Sequence, residues 1–140
     1  MPTSPRPPIR WWNSLTDLDD FALISWAVDP DRVRSLLPAG FEVDERDGHA
    51  LVSMVAFLDH GFHFRAAPFV RLSCGQVNYR AYVRRGGEVG VWFFGTTLDS
   101  RLVVVPRRLW QMPWNRGDME LETTWNGDRC DTWRTRVTGA

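Results

Sequence analysis

The chain has 140 residues, 44% of them hydrophobic and 24% charged, and its 17 basic and 17 acidic side chains cancel. That describes one ordinary globular domain, large enough to bury a core without metal or disulfide staples. The neutral balance argues against a nucleic-acid or anionic-membrane surface.

All 17 basic residues are arginine. These residues therefore offer no side-chain amine for an imine with a carbonyl substrate, no lysine base and no phosphate-loop lysine. A GC-rich genome is the plain origin of such a bias, but the chemical consequence holds whatever its origin.

Four of the nine prolines fall within residues 1–8, which predicts an extended tail over 1–10 ahead of a single domain over 11–140. The tail lacks the apolar core of a signal peptide, and no apolar run approaches the ~18 residues needed to cross a bilayer. The expectation is a cytoplasmic protein with no membrane partner.

Trp11 and Trp12 open the foldable region. Asp20 to Val28 (DFALISWAV) reads as a largely buried strand. Asp29-Pro30 then starts a helix, with Asp29 as its cap and Pro30 in its first turn. Val33, Leu36 and Leu37 form its apolar stripe, and Pro38 and Gly40 end it. The alternating run from Phe41, the Asp47-Gly48 pair and the apolar run Ala50 to Leu58 together predict a hairpin.

Residues 59–71 read as a loop. His60 and His63 form an HxxH beside Asp59, a spacing that on a helix helps hold a metal. In a glycine-containing loop it reads instead as surface or loop anchoring, and neither a metal nor a cofactor is expected. Cys74 and Cys130 form no CxxC and no zinc spacing, and are read as reduced thiols.

Ser73 to Arg84 is a period-two strand. One side carries Gln76, Asn78, Arg80, Tyr82 and Arg84, the other Val77, Tyr79, Ala81 and Val83. A solvated face has this pattern. So does a donor-rich wall of a barrel suited to an anionic or carbonyl ligand. Arg85-Gly-Gly-Glu turns the chain into a strand over Val89 to Thr97.

Asp99-Ser100 caps a second helix over 100–111, interrupted by Pro106 and ended by Pro113. Arg101 either joins the polar row or pairs with Asp99. A last hairpin runs from Met119 to Trp125 and from Arg129 to Val137 about Asn126-Gly127. The sum is a strand-rich α+β domain, a curled antiparallel sheet or barrel with two short helices. Most of the eight tryptophans are expected in the core or sealing edges, with one or two lining an apolar pocket. No GxSxG elbow or glycine-rich phosphate loop is present.

Three stretches carry a family resemblance: FALISWAVDPDRVRSLLPAGFE from Phe21, QVNYRAYVR from Gln76, and GVWFF…LDSRL…LWQMPW from Gly90. Over about residues 11–125 the chain resembles the bacterial family called domain of unknown function 2071, of the acetoacetate decarboxylase-like superfamily. The resemblance implies a barrel-like sheet around a central cavity.

It also implies that the decarboxylase's working groups are replaced. Trp114 falls where the imine-forming lysine would be and Asn115 where its electrostatic partner would be. Ala27 takes the place of a carboxylate-binding arginine, and Gln76 that of a cavity glutamate. Members of the family run on past the equivalent of Val137. An unfinished sheet here would expose an edge that recruits partners, which predicts a homo-oligomer with the final hairpin near its interface.

The function expected is binding of a small anionic or carbonyl molecule in a cavity lined by Gln76, Asn78, Arg80, Tyr82, Arg101 and Trp114. A lysine imine mechanism is excluded. The alternative is a non-catalytic oligomerisation or interaction module, a remnant of the fold.

Overall fold

The computed structural model describes residues 10–11, 13–100 and 113–139. Among them lie β1 (Ser14–Val28), α1 (Pro30–Arg34), β2 (Glu42–Val43), β3 (Ala50–Phe64), β4 (Leu72–Arg85), β5 (Glu88–Leu98), β6 (Trp114–Arg116), β7 (Asp118–Asn126) and β8 (Arg129–Thr138). The principal sheet has the order β1-β3-β4-β5-β6, and β2 pairs with the far end of β4. All its pairings are antiparallel except β5 with β6. β7 and β8 form a separate hairpin.

Local chemistry sets the turns. Asp47 (φ 51°) and Gly48 (φ 76°) take two successive left-handed conformations, as do Gly86 (φ 57°) and Gly87 (φ 86°). That pair of dihedrals is what a tight hairpin turn of the primed type requires. The Asp29 carboxylate accepts the Asp31 amide at 2.9 Å and caps α1, with Pro30 in the first turn. Val33 on α1 packs with Val43, Ala50 and Ala81, flanked by Val28, Leu37, Val52 and Phe94. Leu36 stays exposed, because α1 ends after little more than one turn and its apolar stripe stops short of that position.

The structure corrects several expectations. The sheet is mixed and does not close into a barrel, since β1 and the three-residue β6 are both left as edges. One helix rather than two is described; the second, expected over 100–111, falls outside the described residues except for Ser100. β1 begins earlier than expected and is not buried, because among the described residues it has a neighbour on one side only. β2 pairs with Val83 and Arg84 of β4 rather than with β3, so the expected hairpin shrinks to the single bridge Arg46–His49. β3 runs on through His60 and His63, where the sequence predicts a loop. No helix among the described residues is long and apolar enough to cross a membrane.

Register assigns the two faces. Gln76, Asn78, Arg80 and Tyr82 lie on one face, the row face, with Ser53, Val55 and Phe57 of β3 beside them. Val77 and Ala81 lie on the opposite, packed face with Val52 and Ala56. The packed face carries α1 near Ala81 and the β7–β8 hairpin near Gly75, where an added Cβ would sit 2.7 Å from the Met119 sulfur.

Two polar anchors hold the periphery. Asp20, at a β1 irregularity with φ 52°, accepts bonds from Thr123 Oγ1 and Trp125 Nε1 on its carboxylate and from Trp133 Nε1 on its carbonyl, each at 2.9 Å. Asp44, 2% exposed, accepts from Arg84 Nε at 2.6 Å and is paired with Arg46 at 3.3 Å.

Candidate functional site

β4 pairs with β3 without interruption from Cys74 to Ala81 and presents its even-numbered residues together, as the period-two pattern predicts. The register of β5 with β6 sets Trp114 beside Thr96, and that of β4 with β5 sets Thr96 beside Asn78. The structure therefore brings Gln76, Asn78, Arg80, Tyr82 and Trp114 to one face. Arg101 lies outside the described residues. Ala27, paired with Leu51, falls on the same face, so three of the four positions that resemblance matched to decarboxylase groups, Ala27, Gln76 and Trp114, share it, while Asn115, in register with Thr97 and Val77, falls on the packed face.

Hydrogen bonding divides the row in two. Gln76 Nε2 donates to Asn78 Oδ1 at 3.0 Å, and Thr96 Oγ1 donates to the same oxygen at 2.7 Å. Asn78 is buried. This half of the row satisfies itself, with Thr96 and Trp114 alongside.

The other half is open. Ser25, Ser53, Arg80 and Phe93 form a single rung across β1, β3, β4 and β5, and Tyr82 stands on the next rung. Ser25 and Ser53 share a 2.7 Å hydroxyl contact. The Arg80 guanidinium lies 5.8 Å from the centre of the Tyr82 ring, within cation–π range. Arg80 Nε is buried and has no hydrogen-bond partner. Among the described residues no ion pair involves Arg80. The bond with Ser53 draws the Tyr82 phenol below its ordinary pKa; burial opposes this, and the Arg80 charge and weaker bonds to Arg80 and Ser25 add to it.

Three hydroxyl groups, those of Ser25, Ser53 and Tyr82, thus gather around a guanidinium that, among the described residues, no carboxylate neutralises. Phe93 and Val91, on the same face and exposed, give the rung an apolar flank. Ser25 and Ser53 were missed by sequence reading. Each is the lone hydroxyl in an apolar strand run (FALISWAV and ALVSMVAFL), and that is the signal that could have found them.

Other groups are chemically quiet. Asp59 is buried on the row face and accepts from Thr16 Oγ1 at 2.9 Å; burial pushes its carboxyl above the ordinary range. Burial, with the charges of Asp59 and Asp99, pushes the Cys74 thiol up to about 11, so it is protonated at neutral pH and a poor nucleophile. Cys74 and Cys130 are both free thiols. His63 meets the Gly61 carbonyl at 2.6 Å and His60 lies 3.7 Å from Asp19, and the described residues hold no group of three metal-ligating side chains. An open apolar depression of about 300 Å³, lined mainly by Trp26, Val52, Met54, Tyr79 and Phe94, lies on the packed face.

Comparison with known proteins gives the setting. Residues 16–139 match the profile of an uncharacterized conserved protein family, domain of unknown function 2071. The chain is 31% identical to the uncharacterized protein YqjF of Bacillus subtilis (strain 168) over 123 residues, 86% of this chain and 50% of that protein. Among solved structures it resembles acetoacetate decarboxylase from Legionella pneumophila, with a TM-score of 0.63 and 20% identity over 84% of this chain and 46% of that one. It also resembles the enduracididine biosynthesis enzyme MppR complexed with pyruvate, with a TM-score of 0.59 and 17% identity over 77% of this chain and 43% of that one. The likeness to both shows the fold, and the chain spans about half the length of each relative.

Proposed function

We propose that this chain, which belongs to the family of uncharacterized conserved proteins called domain of unknown function 2071, binds a small carboxylate or similar anion at Arg80. The observation that carries the reading is the buried, unpartnered Arg80 Nε. A buried donor left without an acceptor costs about 1–3 kcal/mol, and a planar guanidinium is shaped to take a carboxylate by two parallel bonds. Ser25, Ser53 and Tyr82 add hydroxyl donors around it. Phe93 and Val91 offer an apolar flank for the rest of the molecule. Gln76, Asn78 and Trp114 belong to the neighbouring wall rather than to the anion contact itself, since Gln76 and Asn78 bond to each other. MppR, a relative in fold, is described with pyruvate, a small carboxylate, which is consistent with this class.

Imine catalysis is not part of the proposal. Decarboxylation of an oxo acid needs an electron sink, and these residues contain no lysine to supply a protonated imine. Tyr82, whose ring centre lies 5.8 Å from the Arg80 guanidinium, is the titratable group beside it that could act as acid or base.

Thermal unfolding with pyruvate, acetoacetate, acetylacetone and inorganic phosphate tests the reading. Binding at a hundredfold excess over Kd stabilises by about 2.7 kcal/mol, a rise in Tm of about 10 °C for a domain of this size. The expected result is a rise with at least one carboxylate, none with the uncharged diketone, and loss of the rise in Arg80→Gln. A rise that survives Arg80→Gln, or no rise with any anion, rejects it.

A further inference from the structure

We infer that β1 is the surface through which two copies of this chain pair, edge to edge, so that their sheets continue into one another. β1 is the last strand of the principal sheet, and among the described residues no strand lies along its outer side. Six of its large apolar residues are exposed: Leu15, Leu18, Phe21, Leu23, Ile24 and Trp26, from 36% at Ile24 to 52% at Phe21. Leu23 falls on the row face and Ile24 and Trp26 on the packed face, so no layer stacked on one side would cover them all. A neighbour alongside the strand covers both sides at once.

The backbone decides what kind of neighbour. An unpaired strand edge presents a line of N–H and C=O groups that serves as a template for another strand. Exposed edges are normally blunted by charge, proline or a bulge. From Ala22 to Val28 this one has none of them, and its register with β3 is uninterrupted.

Charge selects the geometry and the partner. The acidic residues Asp17, Asp19 and Asp20 crowd the first half of β1, and the second half is uncharged. Antiparallel pairing of the regular Ala22–Val28 stretch with its copy keeps the two acidic halves at opposite ends of the pair, whereas parallel pairing would stack like charges. The six side chains leave roughly 600 Å² open on each copy, about half of it in the regular stretch, so the pair is a small interface of roughly 600–1,200 Å² whose dimer depends on concentration. The final hairpin is a poorer candidate, because Thr123, Trp125 and Trp133 already tie it to Asp20.

The inference stands apart from the anion site, and its test reads mass rather than binding. Sedimentation velocity over a dilution series is expected to give twice the 16.2 kDa chain mass at the concentrated end. Leu23→Lys and Trp26→Glu, both at exposed positions, are expected to give monomers with unchanged far-UV circular dichroism. In the unsubstituted chain, hydrogen exchange of the amides from Leu23 to Trp26 should slow with rising concentration. A monomer throughout, a dimer unaffected by both substitutions, or exchange in β1 that ignores concentration overturns the inference.

Discussion

Two buried carboxylates, Asp44 and Asp59, are pushed in opposite directions by their surroundings. The Arg84 bond dominates at Asp44 and, against the cost of burial and with help from Arg46, holds its carboxyl below the usual range. Burial dominates at Asp59 and raises it. The signs of their effects on stability follow. Asp44 contributes in full above the unfolded value of about 3.9, and that contribution is lost as pH falls through its lower folded value. Asp59 is favoured protonated in the fold, so its ionisation works against stability at neutral pH and is relieved on acidification. Asp44→Asn is therefore expected to lower Tm at pH 7 and to flatten the decline of Tm below pH 4; an acid limb as steep as the parent's would contradict this. Arg80 and Tyr82 were legible in the sequence because period-two alternation groups residues of one strand. Ser25 and Ser53 were not, because their contact depends on the register between β1 and β3, which a single sequence does not state.

At the scale of elements, Asp20 joins the hairpin to the principal sheet. Its left-handed backbone suits Asp or Asn far better than a side chain without a local acceptor. Its carboxylate takes two of the three bonds that reach it from β7 and β8. Bonds to a charged acceptor are worth about 1.5–3 kcal/mol when buried and less when exposed, and Trp125 is exposed. Asp20→Ala is expected to cost about 2 kcal/mol, with a red shift of tryptophan emission as the indoles lose their positions. Asp20→Asn, which keeps the acceptor and tolerates the conformation, should cost well under half as much; equal losses would mean that the carboxylate does not hold the hairpin. The hairpin was legible from Asn126-Gly127 and α1 from Asp29-Pro30, since turns and caps are local chemistry. The environment of β1 was not, because an apolar run looks the same at a sheet centre and at an edge. β6 was missed because three residues carry no period, and its parallel partner β5 is distant in sequence.

At the scale of the molecule, the fold was legible through its family strings, and a fold does not by itself carry an activity. The sheet is open rather than closed, and the chain spans about half the length of its relatives. Among the described residues the polar row is a wall of an open sheet rather than the lining of a closed barrel. What such a wall can do is limited by composition. A guanidinium orients an anion but does not form an imine at neutral pH, because it stays protonated. Phenol and hydroxyl groups exchange protons but do not draw electrons from a carbon–carbon bond as a protonated imine does. The consequence is testable on these 140 residues with a mass spectrometer. Incubation with acetoacetate or pyruvate followed by borohydride reduction is expected to leave every internal peptide at its unmodified mass, with adduct confined to the α-amino group. Stoichiometric reduced adduct on an internal peptide would show a nucleophile that the arginine-only basic complement does not provide. Such an adduct mapped to β4 or β6 would return the row face to imine chemistry.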